Sequence, residues 1–329
     1  MVLTDLGANA PADVRALADV RLGHLAAGAA NWPEAVRLFD QAVKSDALPA
    51  AEKAEAQYHA GMASVRQGNP TAAGAYFKLA AAATGPVGVA AAVRLAEGML
   101  ANPTAGVPRA AAYEALRGVA VAASPGEELR NPLVTVEEVR AVFEQAITTA
   151  AADADYAAAA ATAEAYRAVA VPGRVVEKKA DVMAGWAAHQ ALAPDTAAKA
   201  PALFKEAAAG YAEAAKMAAA PAAQAELWRR ASKASRNAGD PAAAADALDR
   251  MTKVEGLPND IQTAAWVERA DGLKAENKFD EAVQVLRQAV DRSPAPAGSP
   301  SGGSGAAVRS GAAGGSKPGA APVGMVGAG

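Results

Sequence analysis

The chain contains no cysteine and few aromatic residues. Only 5% of its 329 residues are Phe, Trp or Tyr, and the cysteine count is zero. The lack of cysteine excludes a disulfide framework and any thiolate nucleophile or thiolate metal ligand. Hydrophobic residues nevertheless make up 52% of the chain, and many of them are alanine. Because alanine favours helices but buries little surface, we expect a thin core between closely packed helices.

Strong charge bias and long apolar runs are also missing. The formal net charge is −3, which is too small to indicate binding to nucleic acid or to an anionic membrane. Charged residues interrupt the alanine runs, so we predict no membrane-spanning segment. The N-terminal sequence MVLTDLGANAPADV has no basic segment followed by an apolar one. We therefore predict no signal peptide and a cytoplasmic protein.

Motifs that carry chemistry are absent as well. The sequence has no phosphate-binding loop, no dinucleotide glycine pattern, no HExxH and no nucleophile elbow. Its three histidines, His24, His59 and His189, are far apart. Glu55 and His59 are four residues apart, and we interpret them as a surface pair rather than a metal site. We therefore expect no catalytic residue, no metal, no cofactor and no enzyme activity.

The stretch from Trp266 to Pro294 has the most informative pattern in the chain. Two amphipathic helical patterns flank an Asn277-Lys278 turn. With Thr263 as position 1, a bulky residue occupies position 4, small residues occupy 8, 20 and 27, a large apolar residue occupies 24 and proline occupies 32. In that order of position the residues are Trp266, Ala270, Ala282, Leu286, Ala289 and Pro294. Small residues allow two helices to approach closely, and the aromatic residue fills the gap to the next pair.

This spacing resembles the tetratricopeptide repeat (TPR), and the resemblance extends along most of the chain. Gly23 and Gly61 are 38 residues apart, as are Trp228 and Trp266. Clear repeats cover 16–47, 54–85, 225–258 and 263–294, and degenerate repeats cover 86–220.

The predicted domain boundaries follow from these repeats. Residues 1–11 are a flexible lead-in, and 12–294 form the repeat domain. Residues 295–329 are almost entirely Gly, Ala, Ser and Pro, a composition that predicts a disordered tail. Within the degenerate part, Thr135 and Glu138 match a capping box. Pro172-Gly173 is predicted to end the fourth hairpin, and the fifth is predicted to begin near Lys178.

The TPR resemblance implies an all-α fold. The expected architecture is an α-solenoid of about seven TPR-like helical hairpins that form a right-handed superhelix. In this family, positions 2, 5, 9, 12 and 13 of each first helix face a concave groove. The residues predicted to bind a ligand in the groove are Lys179, Trp186, His189, Arg229, Lys233, Arg236 and Asn237. The same register adds Gln190, Glu226, Val267, Asp271 and Lys274.

The segment WRRASKASRN carries the most specific functional signal. Arg229, Lys233 and Arg236 are spaced by four and three residues, so they share one helix face. One interpretation is a basic groove that recognises acidic peptide segments. The alternative is a solvated helix face whose cations favour the helix dipole. Trp186 is likewise either a groove anchor or a residue packed between repeats.

Two functional hypotheses remain open at this point. The first is a non-catalytic scaffold that binds a protein or peptide, with acidic segments as candidates. The alternative is a structural protein in which repeats stack between copies and the tail acts as a tether. We expect no nucleic acid and no membrane partner in either case. The sequence does not identify the partner.

Overall fold

The computed structural model describes residues 10–101, 109–122 and 130–292. Within these ranges the regular structure is fourteen α-helices and two short 3-10 turns, and no strand occurs. The helices are α1 (Ala12–Gly28), α2 (Trp32–Val43), α3 (Ala50–Arg66), α4 (Pro70–Ala80), α5 (Pro86–Ala101), α6 (Ala110–Ala122), α7 (Val136–Ala152), α8 (Tyr156–Ala165), α9 (Pro172–Ala191), α10 (Ala200–Met217), α11 (Pro221–Asn237), α12 (Pro241–Thr252), α13 (Asn259–Ala275) and α14 (Phe279–Arg292). The predicted tail at 295–329 lies outside the described residues.

The fourteen helices pair into seven hairpins, which confirms the predicted helical solenoid. Most helices pack mainly against the helices before and after them in the chain, but α6 packs more against α8, and α7 more against α5, than α6 and α7 pack against each other. The first helices of consecutive hairpins also touch, since α3 contacts α5, α5 contacts α7 and α7 contacts α9. The hydrophobic core is correspondingly divided into several clusters along the array. No described helix combines the length and hydrophobicity that crossing a membrane requires.

The two glycines that are 38 residues apart near the N-terminus make the same close contact with a phenylalanine. A Cβ added at Gly23 would lie 2.8 Å from Cε1 of Phe39, and one added at Gly61 would lie 2.6 Å from Cε1 of Phe77. Both phenylalanines are buried. In each hairpin the ring of the second helix therefore rests directly on the backbone of the first, and only glycine permits this contact.

The turns inside four hairpins share one local structure. A residue with positive φ precedes an Asn or Asp whose side chain accepts a hydrogen bond from the backbone N–H three residues later. The cap residues are Asn31, Asn69, Asp155 and Asp240, and the residues before them are Ala30, Gly68, Ala154 and Gly239. Since the cap satisfies an N–H that the helix leaves free, each turn fixes where the second helix begins.

The boundary between the fourth and fifth hairpins differs from the prediction. Helix α8 ends at Ala165 and continues as a 3-10 turn over Tyr166–Ala168. Pro172 and Gly173 do not end this hairpin, because they form the first turn of α9. Proline suits that position, where its missing N–H would have no partner. The fifth hairpin therefore begins at Pro172 rather than near Lys178.

The last hairpin also departs from the predicted pattern at one residue. Ala282 and Ala289 are buried as expected, whereas Leu286 is 41% exposed. At the same position of the first and sixth hairpins, Phe39 and Leu248 are buried and meet His59 of α3 and Gly272 of α13, respectively. Since α14 is the last described helix, no described hairpin follows to cover Leu286.

Candidate ligand-binding face

Helix α11 places the predicted cations on its exposed side. Its other side is buried and includes Leu227, Trp228 and Ala231. The guanidinium of Arg250 lies 5.3 Å from the centroid of the Trp228 ring, so this tryptophan contacts the second helix of its own hairpin. The exposed residues are Arg229, Lys233, Arg236 and Asn237. A firmly packed helix thus presents three cations in one row.

The three cations differ in how far they are neutralised. Arg229 donates two hydrogen bonds of 2.7 Å to the carboxylate of Glu226. These bonds raise the pKa of Arg229, and the charge of Glu268 on α13 contributes in the same direction. Lys233 and Arg236 form no ion pair with any residue in the described part of the chain. The row therefore carries two cations that have no ion-pair partner among the residues that the structure describes.

Helix α13 contributes exposed residues to the same region. Val267 is 42% exposed, and Asp271 and Lys274 are also exposed. The charge of Glu268 acts on Arg229, so this carboxylate of α13 is near that one cation. Together the two helices provide cations, one carboxylate and one apolar side chain. We call Arg229, Lys233, Arg236, Val267 and Lys274 the α11–α13 face.

The predicted groove residues of α9 lie elsewhere, against α8. Lys179 forms an ion pair with Glu164 of α8. The Trp186 ring stacks on Tyr156, the first residue of α8, with centroids 6.1 Å apart and an interplanar angle of 5°. The His189 ring lies 5.6 Å from the same tyrosine. These three side chains contact the preceding hairpin, which matches the packing alternative for Trp186.

A polar network that the sequence analysis missed crosses from α7 to α9. Arg174 donates hydrogen bonds of 2.8 and 2.5 Å to the two carboxylate oxygens of Glu144. The hydroxyl of Tyr166 donates to the same carboxylate over 2.7 Å. The bonds from Arg174 are the main reason that the pKa of Glu144 is lowered to about 2, with smaller contributions from Tyr166 and Lys178. The pair is therefore charged at neutral pH.

The network continues from α9 to α11. Arg174 also bonds to Glu177 over 2.8 Å. Nη1 of Arg230, on α11, lies 3.4 Å from Glu177 and 3.3 Å from Asp181. The five residues of this polar network, Glu144, Arg174, Glu177, Asp181 and Arg230, join three first helices. They fix α11 beside α9 and hold the α11–α13 face in a defined orientation.

A second site joins residues that the sequence analysis kept separate. His24 and His59 were expected to be far apart, but their ring centroids are 4.4 Å apart. Glu55 lies beside them, with its Oε1 3.9 Å from Nε2 of His59. The register contained a signal for this contact. His24 at position 9 and Glu55 at position 2 both belong to the positions assigned to the groove.

Comparisons with known proteins give distant similarities only. The sequence matches no protein-family model and no curated protein. Similar solved structures include the apo form of the quorum sensor NprR from B. thuringiensis, at 12% identity over 88% of this chain and 78% of that one, with a TM-score of 0.34. The TPR domain of P58(IPK) matches at 14% identity over 85% of this chain and 94% of that one, with a TM-score of 0.31. Acl4, the assembly chaperone of RpL4 (residues 1–338), matches at 15% identity over 83% of this chain and 88% of that one, with a TM-score of 0.24. The assignment of the fold rests on the hairpin packing described above, and these matches add nothing about a ligand.

Proposed function

We propose that the chain is a non-catalytic scaffold that binds a protein or peptide on its α11–α13 face, with a preference for acidic segments. The observation that supports this most is the row of three exposed cations on α11, two of which have no ion pair in the described residues. Such a row offers charge-assisted hydrogen bonds to carboxylates. The exposed Val267 adds an apolar contact beside it.

The packing beneath this face favours binding by a preformed surface. Trp228 and Leu227 are buried on the other side of α11, and Arg230 forms ion pairs with α9. Little conformational entropy is then lost on the scaffold side when a partner binds. Glu226 and Asp271 are interspersed with the cations, a mixture that suits a protein partner better than a nucleic acid backbone.

The test is a charge deletion on this face. A partner is first identified by affinity purification from the source organism, and is then purified and titrated against the full chain. The triple variant Arg229→Ala/Lys233→Ala/Arg236→Ala should bind it at least about tenfold more weakly, equivalent to about 1.4 kcal/mol. The loss should shrink at high salt, because salt screens exposed charges.

A matched triple variant controls for the loss of net charge. Arg66, Lys78 and Lys216 are exposed cations on α3, α4 and α10. The variant Arg66→Ala/Lys78→Ala/Lys216→Ala should bind the partner as well as the unmodified chain. Equal affinities for both triple variants would remove the α11–α13 face as the binding site.

Self-assembly is the second candidate function, and the last helix favours it. Four apolar residues of α14 follow one another at intervals of four, three and four positions, so they share one side of the helix. They are Phe279 at 57%, Val283 at 47%, Leu286 at 41% and Val290 at 73% exposure. Terminal hairpins of repeat arrays normally need a polar outer face for solubility. An apolar stripe in this place is suited to stacking against another hairpin.

Sedimentation velocity over a range of protein concentrations tests this candidate. If α14 mediates stacking between copies, Val283→Glu/Val290→Glu should shift the chain towards monomer at every concentration. Leu192→Glu changes an exposed leucine in the loop after α9 and should leave the self-association unchanged. A concentration-independent monomer for the unmodified chain would eliminate the self-assembly function.

A further inference from the structure

Three potential metal ligands converge between the first two hairpins. His24 lies on α1, and Glu55 and His59 lie one turn apart on α3. One ligand atom from each of these residues lies within 4.8 Å of the other two. Among the described residues, no other group of three histidine or acidic side chains is arranged in this way.

The aromatic core beneath the site fixes both imidazole rings. Phe39 is fully buried. The His24 ring meets it edge-on, with centroids 5.1 Å apart, and the His59 ring stacks on it at 5.9 Å and 26°. The Tyr58 ring makes an edge contact with His59, with centroids 5.3 Å apart. The rings are therefore positioned by packing before any ligand arrives.

The donor atoms of these groups suit a cation. A neutral imidazole has one ring nitrogen with a lone pair that a metal ion can accept. Glu55 supplies a negative charge, which opposes the repulsion from Arg21 that also acts on His24.

We propose that His24, Glu55 and His59 bind one divalent transition-metal ion, with Zn²⁺ as the best match. Two imidazoles and a carboxylate are a donor set that zinc accepts, and zinc sites with three protein ligands keep a fourth position open. Mg²⁺ prefers about six oxygen ligands and should not compete.

The present geometry needs only a small adjustment to hold the ion. Bonds of about 2.0–2.2 Å in a tetrahedral site place ligand atoms about 3.3 Å apart. Glu55 must therefore turn inwards from its present 3.9 Å separation from His59. Its side chain is 47% exposed, so this rotation meets little resistance.

The site is independent of the α11–α13 face, which belongs to hairpins six and seven. Its fourth coordination position can hold water or accept a donor atom from a bound partner. The metal proposal therefore remains open even if the acidic-segment hypothesis fails.

Calorimetric titration of the full chain, free of any histidine tag, with zinc chloride at pH 7 tests the proposal. We expect one zinc ion per chain, and no comparable heat with magnesium chloride. Cobalt chloride should give the visible absorption bands of a tetrahedral Co²⁺ site. His59→Gln should weaken zinc binding by about 100-fold or more, since losing even an outer-shell partner of a metal ligand costs about 10–100-fold.

Two further variants keep the test decisive if His59→Gln disturbs folding. Glu55→Gln changes a half-exposed side chain and should weaken zinc binding by about tenfold, with the helical circular dichroism unchanged. His189→Gln removes the third histidine of the chain and should leave zinc affinity unaltered. The proposal would be overturned if the unmodified chain bound no zinc, or if Glu55→Gln and His59→Gln both bound zinc as tightly as the unmodified chain. It would also be overturned if His189→Gln lost as much zinc affinity as His59→Gln.

Discussion

The first two hairpins and the middle of the array are joined by different physical means. In α1–α4 a buried phenylalanine ring rests on a glycine backbone, as in Phe39 on Gly23. Between α7 and α11 the polar network around Glu144 and Arg174 instead connects the first helices of consecutive hairpins. Both regions also contain buried apolar clusters. The first region therefore adds a ring-on-backbone contact within each hairpin, and the middle adds paired charges between hairpins.

The difference has a reason in the composition of the two regions. The contacts between α9 and α10 consist largely of alanine, such as Ala180, Ala207 and Ala214. Alanine faces are smooth and give little preference for one alignment of two helices over another. A guanidinium and a carboxylate must meet in a defined geometry. We infer that the polar network helps to set the alignment of α7, α9 and α11.

Deleting the aromatic contact should have the largest effect. Phe39→Ala should lower the free energy of unfolding by about 3–5 kcal/mol, because it leaves a cavity beside Gly23. Urea unfolding followed by circular dichroism measures this change. Leu25→Ala, at an exposed position of α1, should cost far less. A similar loss of stability in both variants would contradict the view that the buried phenylalanine contact stabilises α1–α4.

Breaking the polar network should have the next largest effect. Glu144→Gln should lower the free energy of unfolding by about 1.5–3 kcal/mol, since Arg174 loses a charged hydrogen-bond partner. Glu34→Gln removes a similar pair with Arg37, but on an exposed surface, where such pairs contribute little to stability. Urea unfolding of both variants at pH 7 compares them. Equal costs would show that the network is no more than a surface ion pair.

Acid should remove the contribution of the network selectively. The folded pKa of Glu144 is about 2, below its ordinary value of 4.5. A lowered carboxyl pKa stabilises the fold above the unfolded pKa, and this stability is lost as the pH falls towards 2. The difference in unfolding free energy between the unmodified chain and Glu144→Gln should therefore shrink between about pH 5 and pH 2. A difference that stays constant over this range would argue against a charged Glu144.

Removing a helix cap should have the smallest effect on the free energy of unfolding, and the effect should be equal in the two regions. Thr135 caps α7 in the predicted capping box, and Asn31 caps α2. Thr135→Ala and Asn31→Ala should each cost about 1 kcal/mol, because a cap acts only on its own helix. Urea unfolding measures both. A much larger cost at Thr135 would mean that the box also supports the contact of Glu138 with Arg94 of α5.

Sequence spacing predicted the features that lie within one helix or one hairpin. These include the seven hairpins, the capping box at Thr135 and Glu138, the buried Trp266, and the exposure of the α11 cations. Each depends on helical periodicity or on a short turn, and both are read directly from neighbouring residues.

Contacts between consecutive hairpins could not be predicted in the same way. The meeting of His24 with His59, the stacking of Trp186 on Tyr156 and the pairing of Glu144 with Arg174 depend on the rotation from one hairpin to the next. That rotation is set by linker length and side-chain packing. The contacts of Lys179, Trp186 and His189 with α8 depend on that rotation in the same way.

Hydrogen exchange measured by mass spectrometry on Phe39→Ala and the unmodified chain tests the stacked array most directly. In a linear array each hairpin depends mainly on its neighbours. The account predicts faster exchange in α1–α4 and unchanged protection in α11–α14. A uniform loss of protection along all fourteen described helices would contradict the account, because it would require one cooperative core.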